Sequence, residues 1–345
     1  MTRWAVILAG GVGSRFWPLS TPERPKQLLP LVNDEPLLLN TFRRLGDIVP
    51  VERTLVLTNA SLAKAISDAV PSLPDENIVA EPKPAGTAAA LTWAAREIER
   101  RSGPESTMIC VHADWAIADD AGFRAALLAA EMVAVEEQSL VTVGIVPTRP
   151  DPGFGYIQPG DPTDSGARMV TRFVEKPDRA RAESMVHEGY LWNSGIFAWR
   201  VGDFLAEVRA HTPEVATALA ENAERGLGAF FAAVETISVD VGVLERSDKV
   251  RVVPGDFGWD DVGTWGALRR VKPEDKSGNV TSGEVFALEA KGNVVHAEGN
   301  TVVLYGVSDL VVVTRGGLTL VTTNDRSAEL KTLIDSLPAR LRDIV

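Results

Sequence analysis

The sequence predicts an α/β fold, a mostly parallel mixed sheet with crossover helices, followed by a small all-β unit. Three observations carry this. Through about residue 265 short β-rich runs alternate with helical ones, the order that builds a parallel sheet. The first run, residues 4–8, is apolar at every position, which suits a strand buried on both faces. Beyond Pro273 short Val-rich runs follow one another closely, separated by Gly-Asn, Gly-Val-Ser-Asp and Gly-Gly turns.

Taken in order, residues 4–8 lead into Gly10, Gly11 and Gly13, and further strands are expected at 53–58, 107–112 and 139–146. Between them, 87–101 and 119–138 are rich in Ala, Leu and Glu. They read as crossover helices, with Thr87 and either Asp119 or Asp120 as N-caps. The terminal runs at 284–288, 293–297, 301–305, 310–314 and 318–322 fit either a small β-helix coil or an antiparallel meander, and 326–337 looks helical. The expected division is a catalytic domain over 1–272 and a β-rich domain over 273–345.

The chain has 345 residues, 35 basic against 47 acidic, a net charge of −12. That balance argues against a nucleic-acid surface, so an enzyme acting on anions must concentrate its cations locally. Cys110, the single cysteine, sits in an apolar run and reads as a buried structural thiol. No run approaches membrane-spanning length and no secretory signal opens the chain, so a cytoplasmic protein is expected. The four histidines lack metal-ligand spacing, and Ser14 and Ser194 have no evident His and acid partners, so neither zinc nor a covalent nucleophile is expected.

The run Leu8-Ala9-Gly10-Gly11-Val12-Gly13-Ser14-Arg15, with Pro25-Lys26-Gln27 beyond it, joins a buried strand to a glycine loop and two cations. Backbone N–H groups of such a loop can converge on an anion, and Arg15 and Lys26 add charge where phosphate oxygens carry theirs. Phe16 stands where a dinucleotide fingerprint requires glycine, and no Gly-Lys-Ser/Thr ending follows. The loop therefore reads as a triphosphate site of another kind.

These residues, extended through Phe16-Trp17-Pro18-Leu19-Ser20, resemble the sugar-1-phosphate nucleotidyltransferases, and within them the mannose-1-phosphate guanylyltransferase branch, which Trp17-Pro18-Leu19-Ser20 and Gln27 favour. The resemblance implies a Rossmann-like nucleotidyltransferase domain, a C-terminal unit like a left-handed β-helix, and Mg²⁺-dependent transfer of GMP from GTP to mannose 1-phosphate. It implies a nucleotide site at Leu8, Ala9, Gly10, Gly11, Gly13, Ser14, Arg15, Lys26, Gln27, Gly86 and Thr87. Such transfer needs a metal among crowded phosphates. Asp114, beyond the carboxyl end of the 107–112 strand, and Asp261 match the family's metal aspartates; Asp260 is the weaker candidate, read as a solvated neighbour. Trp115 departs from the His usual in this branch.

For the sugar phosphate the resemblance points to Lys176 for the phosphate, to Glu175 and Asn193 for the ring, and to the loop around Gly155. Arg15, Lys26, Asp114, Lys176 and Asp261 form the expected catalytic set. The nearest rival is the same chemistry on glucose 1-phosphate with UTP or dTTP; a silent regulatory homologue is the rival of another class. The chain is expected to be monofunctional, since longer relatives carry a further isomerase domain, and a homodimer is a possible assembly.

Overall fold

The computed structural model describes residues 1–11 and 13–342; Val12 of the glycine run lies outside the described residues. The chain forms two compact units. One comprises Met1–Gly10, Phe42–His112 and Asp119–Phe257; the other comprises Gly11–Thr41, Ala113–Ala118 and Gly258–Val345.

In chain order the strands are β1 (Arg3–Leu8), β2 (Thr54–Asn59), β3 (Ile78–Glu81), β4 (Thr107–His112), β5 (Ala116–Ile117), β6 (Leu140–Ile145), β7 (Tyr156–Pro162), β8 (Arg168–Val174) and β9 (Leu191–Arg200). They continue with β10 (Val250–Gly255), β11 (Trp259–Asp260), β12 (Val280–Ser282), β13 (Val285–Leu288), β14 (Val294–Ala297), β15 (Val302–Tyr305), β16 (Leu310–Arg315) and β17 (Leu318–Thr323).

The first unit is built on a nine-stranded sheet of order β3-β2-β1-β4-β9-β6-β10-β8-β7. β3, β2, β1 and β4 run parallel, as do β6 and β10. β9 is inserted antiparallel between β4 and β6, so the sheet is mixed. This reversal positions the site: the start of β9 lies beside the carboxyl end of β6, with Trp192 opposite Ile145. Val6, Leu8 and Cys110 pack with Ala88, Leu91 and Ala95 of the helix Gly86–Ser102 in one core. Trp199 is stacked between Phe197 at 4.9 Å and Phe204 at 4.3 Å, and large aromatic faces of this kind dominate the apolar area buried. Cys110 is fully buried, which pushes its thiol well above the usual range.

Asp119 caps the helix Asp120–Glu136, accepting from the N–H groups of Ala121 and Gly122. Thr87 is not a cap. The helix opens at Gly86, whose φ is +80° and whose missing Cβ would fall 2.2 Å from the Ile237 carbonyl oxygen. The segment through Ile237 therefore crosses the helix start, takes the Ala88 N–H on its carbonyl, and donates the Val239 N–H to the Thr87 hydroxyl.

In the second unit β12, β14 and β16 pair in parallel, as do β13 and β15, while the β16–β17 hairpin and the short β5–β11 pair are antiparallel. The coil form is thus realised rather than the meander. A physical reason lies in the repeated Gly-Asn turns. Buried Asn279 and Asn293 stack on successive turns: Asn293 donates its backbone N–H and its amide to Asn279 Oδ1, while its own Oδ1 accepts the Leu310 N–H. Ala290, Val295, Leu304 and Val312 fill the interior. Val294, Val311 and Leu320 share a second core with Phe16, Trp17, Leu19 and Trp265. Among the described residues no helix is long and apolar enough to cross a membrane.

Candidate active site

The expected site residues fall into two groups, one in each unit, and each group has its own geometry. In the second unit the glycine run and the Pro25-Lys26-Gln27 segment are packed together. Gly13 has φ +68°, and a Cβ on it would stand 2.3 Å from Cβ of Lys26, so the lysine stem occupies the space glycine leaves open. Ser20 Oγ closes the turn on the Gly13 carbonyl at 2.8 Å. Lys26 and Gln27 are buried, and Ser14 and Arg15 lie in the turn Ser14–Phe16 with Arg15 exposed.

The Lys26 ammonium donates to Asp114 Oδ2 at 3.0 Å and to the Asp261 carbonyl at 2.6 Å. Burial pushes the Asp261 carboxyl above its ordinary range, Asp260 adds to the push, and Lys26, Arg270 and Arg15 oppose it. Asp260 is not a solvated neighbour. It is buried, holds Arg270 through two hydrogen bonds of 2.6 and 2.9 Å, and accepts the Val262 N–H. Val262 carries φ +45°, a costly conformation for a β-branched residue, kept by that bond and by full burial of its side chain. Trp115, the departure from the family pattern, is buried edge-on against Trp259 at 5.8 Å, so it serves packing.

Lys26 holds Asp114 by its carboxylate and Asp261 by its backbone carbonyl, and the two aspartates supply hard carboxylate oxygens of the kind that suit a magnesium ion. Among the described residues no group of three or more His, Cys, Asp or Glu is placed to hold a metal ion.

In the first unit, Leu8, Thr87, Gly155, Glu175, Lys176 and Asn193 all line one open cavity of about 230 Å³. Asn193 owes its position to a bulge. Ser194 and Gly195 are extra residues between the pairs Gly144–Asn193 and Val143–Ile196; Ser194 Oγ donates to the Val143 carbonyl, and Gly195 adopts φ +73°. Lys176 has φ +43° and pairs with Glu175 at 2.6 Å. A Cβ on Gly155 would meet Glu175 Oε2 at 2.9 Å, so a side chain there would make the Glu175 carboxylate shift. Ala9 and Gly10 are held at the end of β1: the Thr58 hydroxyl donates to the Ala9 carbonyl and the Asn59 amide to the Gly10 carbonyl. Gly86 lies under Ile237 rather than in the cavity lining.

Among the lining residues that escaped sequence reasoning are Asp240 and His112. Asn193 Nδ2 donates to Asp240 Oδ1 at 2.7 Å. Burial pushes the Asp240 carboxyl up and Glu175 adds to this, whereas the Asn193 bond and His112 oppose it. Asp240 opens the π-helical turn Asp240–Leu244, and such turns often mark functional sites; nothing in its flanking sequence announces it.

The Nucleotidyl transferase family model matches residues 4–278, and a MannoseP isomerase/GMP-like beta-helix domain matches 283–337. The mannose-1-phosphate guanylyltransferase of Escherichia coli (strain K12) is 37% identical over 358 residues, covering 97% of this chain and 73% of that protein. Xanthan biosynthesis protein XanB of Xanthomonas campestris pv. campestris is 36% identical over 344 residues, 96% of this chain and 72% of that protein. The crystal structure of a mannose-1-phosphate geranyltransferase from Thermus thermophilus superposes with a TM-score of 0.91 at 37% identity, covering 97% of this chain and 99% of that one. With a mixed-sheet α/β domain and a parallel β-coil each matched, the chain belongs to the nucleotidyl transferase family.

Proposed function

We propose that this protein transfers GMP from GTP to α-D-mannose 1-phosphate, releasing pyrophosphate and forming GDP-mannose. The observation that carries this reading is the 37% identity to the Escherichia coli mannose-1-phosphate guanylyltransferase across 97% of the chain. The site chemistry supports it. A phosphate oxygen of mannose 1-phosphate forms a bond to the α-phosphorus of GTP, the bond from that phosphorus to the bridging oxygen of the β-phosphate breaks, and the electron pair leaves on pyrophosphate. Protein catalysis of such a step consists of positioning and charge stabilisation.

Each residue then has a role. Arg15 and Lys26 stabilise the triphosphate and the departing pyrophosphate, with the glycine-loop amides of Gly11 and Gly13 assisting. Lys176 exchanges its Glu175 partner for the sugar phosphate and orients the attacking oxygen. Glu175 and Asn193 take sugar hydroxyls, and Asp240 fixes the Asn193 amide. Asp114 and Asp261 would hold a Mg²⁺ ion, which supplies neutralisation of phosphate charge when bound.

The test is pyrophosphate release with Mg²⁺ across GTP, ATP, UTP, CTP and dTTP, each with mannose 1-phosphate and with glucose 1-phosphate. Release chiefly from GTP with mannose 1-phosphate is expected. Preference for another pair would overturn the substrate assignment, and no release from any pair would overturn the enzymatic one.

A further inference from the structure

On the coil, the face that contributes Val280, Val294, Val311 and Leu320 to the core turns polar toward the carboxyl ends of β12, β14 and β16. Ser282 lies in register with His296, and the Glu298 N–H donates to the Thr314 carbonyl beside Arg315. Glu298 is thereby surrounded by cations without being gripped by any. Arg24 Nη1 and Arg315 Nε stand 3.6 Å from its carboxylate oxygens and His296 Nε2 stands 3.9 Å away, all longer than charge-assisted hydrogen bonds. Lys272 adds a further half-buried ammonium, whose bond goes to the Ser282 hydroxyl at 2.9 Å.

Two arginines and an imidazole thus converge on one carboxylate in a chain of net charge −12, and the Lys272 ammonium acts on the imidazole. Arg315 is fixed independently, donating Nη1 to the Leu19 carbonyl at 2.6 Å, so its guanidinium is preorganised. The side chains of Arg315 and His296 are 18% and 17% exposed, whereas Glu298 is 43% exposed and has water to turn into. The positive field acts on the imidazole: after burial itself, Lys272, Arg24 and Arg315 all hold His296 below its ordinary value, against Glu298.

We propose that Arg24, Arg315 and His296 form a binding site for a tetrahedral phosphate oxyanion, which enters as Glu298 swings outward. Arginines present paired N–H donors that suit phosphate, and Lys272 supplies surrounding charge. The site involves none of the residues assigned to GTP or mannose 1-phosphate, so it stands whether or not the proposed reaction holds.

Imidazole NMR on the full chain tests this. Sodium phosphate is titrated at constant ionic strength against sodium chloride, with His296 identified by the resonance missing in His296→Gln and His112 reporting separately on the cavity. A saturable shift of the His296 resonance is expected. Arg24→Gln should weaken the apparent phosphate affinity about tenfold, and Glu298→Gln, by removing the competing carboxylate, should tighten it about tenfold. Methyl phosphate titrates in parallel: equal affinity marks a site for phosphate monoesters, weaker affinity one for free phosphate, and saturation by either supports the site. No shift beyond the chloride control, or Arg24→Gln and Glu298→Gln both titrating like the parent, would overturn it.

Discussion

The ammonium of Lys26 donates to Asp114 Oδ2 at 3.0 Å although 88 residues separate the two in the chain. Its stem lies in the space left by the missing Cβ of Gly13, and its second bond reaches the Asp261 carbonyl. One buried cation therefore ties the glycine loop to both candidate metal aspartates.

Replacing Lys26 by Met keeps the stem and removes the charge. Turnover should fall at least about a hundredfold, the scale on which a single stabilising donor acts in a transition state. The folded structure should persist, because Asp114 is partly solvated at 35% side-chain exposure. Steady-state pyrophosphate release together with circular dichroism decides this; a folded Met variant with parental turnover would remove Lys26 from the catalytic set.

In the proposed reaction Asp240 acts as a positioning residue, through its bond to Asn193. Asp240→Ala leaves the Asn193 amide without its 2.7 Å acceptor, so KM for mannose 1-phosphate should rise about tenfold while KM for GTP stays within about twofold. Separate titration of the two substrates checks the split. An equal rise in both constants would indicate general loss of structure instead of lost positioning.

Burial pushes the Glu81 carboxyl, at the end of β3, from 4.5 up to about 7. With the folded value raised, the native state holds the proton more tightly than the unfolded chain. This group's contribution to stability is therefore fully present below about pH 4.5 and is lost as pH rises through about 7. Glu81→Gln should raise the melting temperature at pH 8 relative to the parent and abolish the advantage at pH 4.5. Thermal melts across that range are the measurement, and an equal effect at both pH values would contradict the assignment.

Much of the fold was legible locally. The expected strand 107–112 coincides with β4, and the expected crossover helices 87–101 and 119–138 correspond to Gly86–Ser102 and Asp120–Glu136, because apolar runs and an Asp cap act over a few residues. Thr87 misled as a cap because the partner of its hydroxyl, Val239, lies 152 positions away. Asp260 looked solvated because nothing in its local sequence marks Arg270, ten positions on, as its partner; in the structure Arg270 and the Val262 N–H enclose it.

By itself the sequence determined the alternation of strands and helices, the glycine loop with its cations Arg15 and Lys26, and the closely spaced turns of the C-terminal coil. These depend on side-chain period, glycine freedom and charge, which neighbouring residues settle among themselves. Only the tertiary structure decided that β9 runs antiparallel beside β4 and β6, that residues 11–41 and 113–118 group with the coil, and that Asp240 holds Asn193. Those outcomes depend on hydrogen bonds and burial between segments far apart in the chain, where no local pattern records the partner.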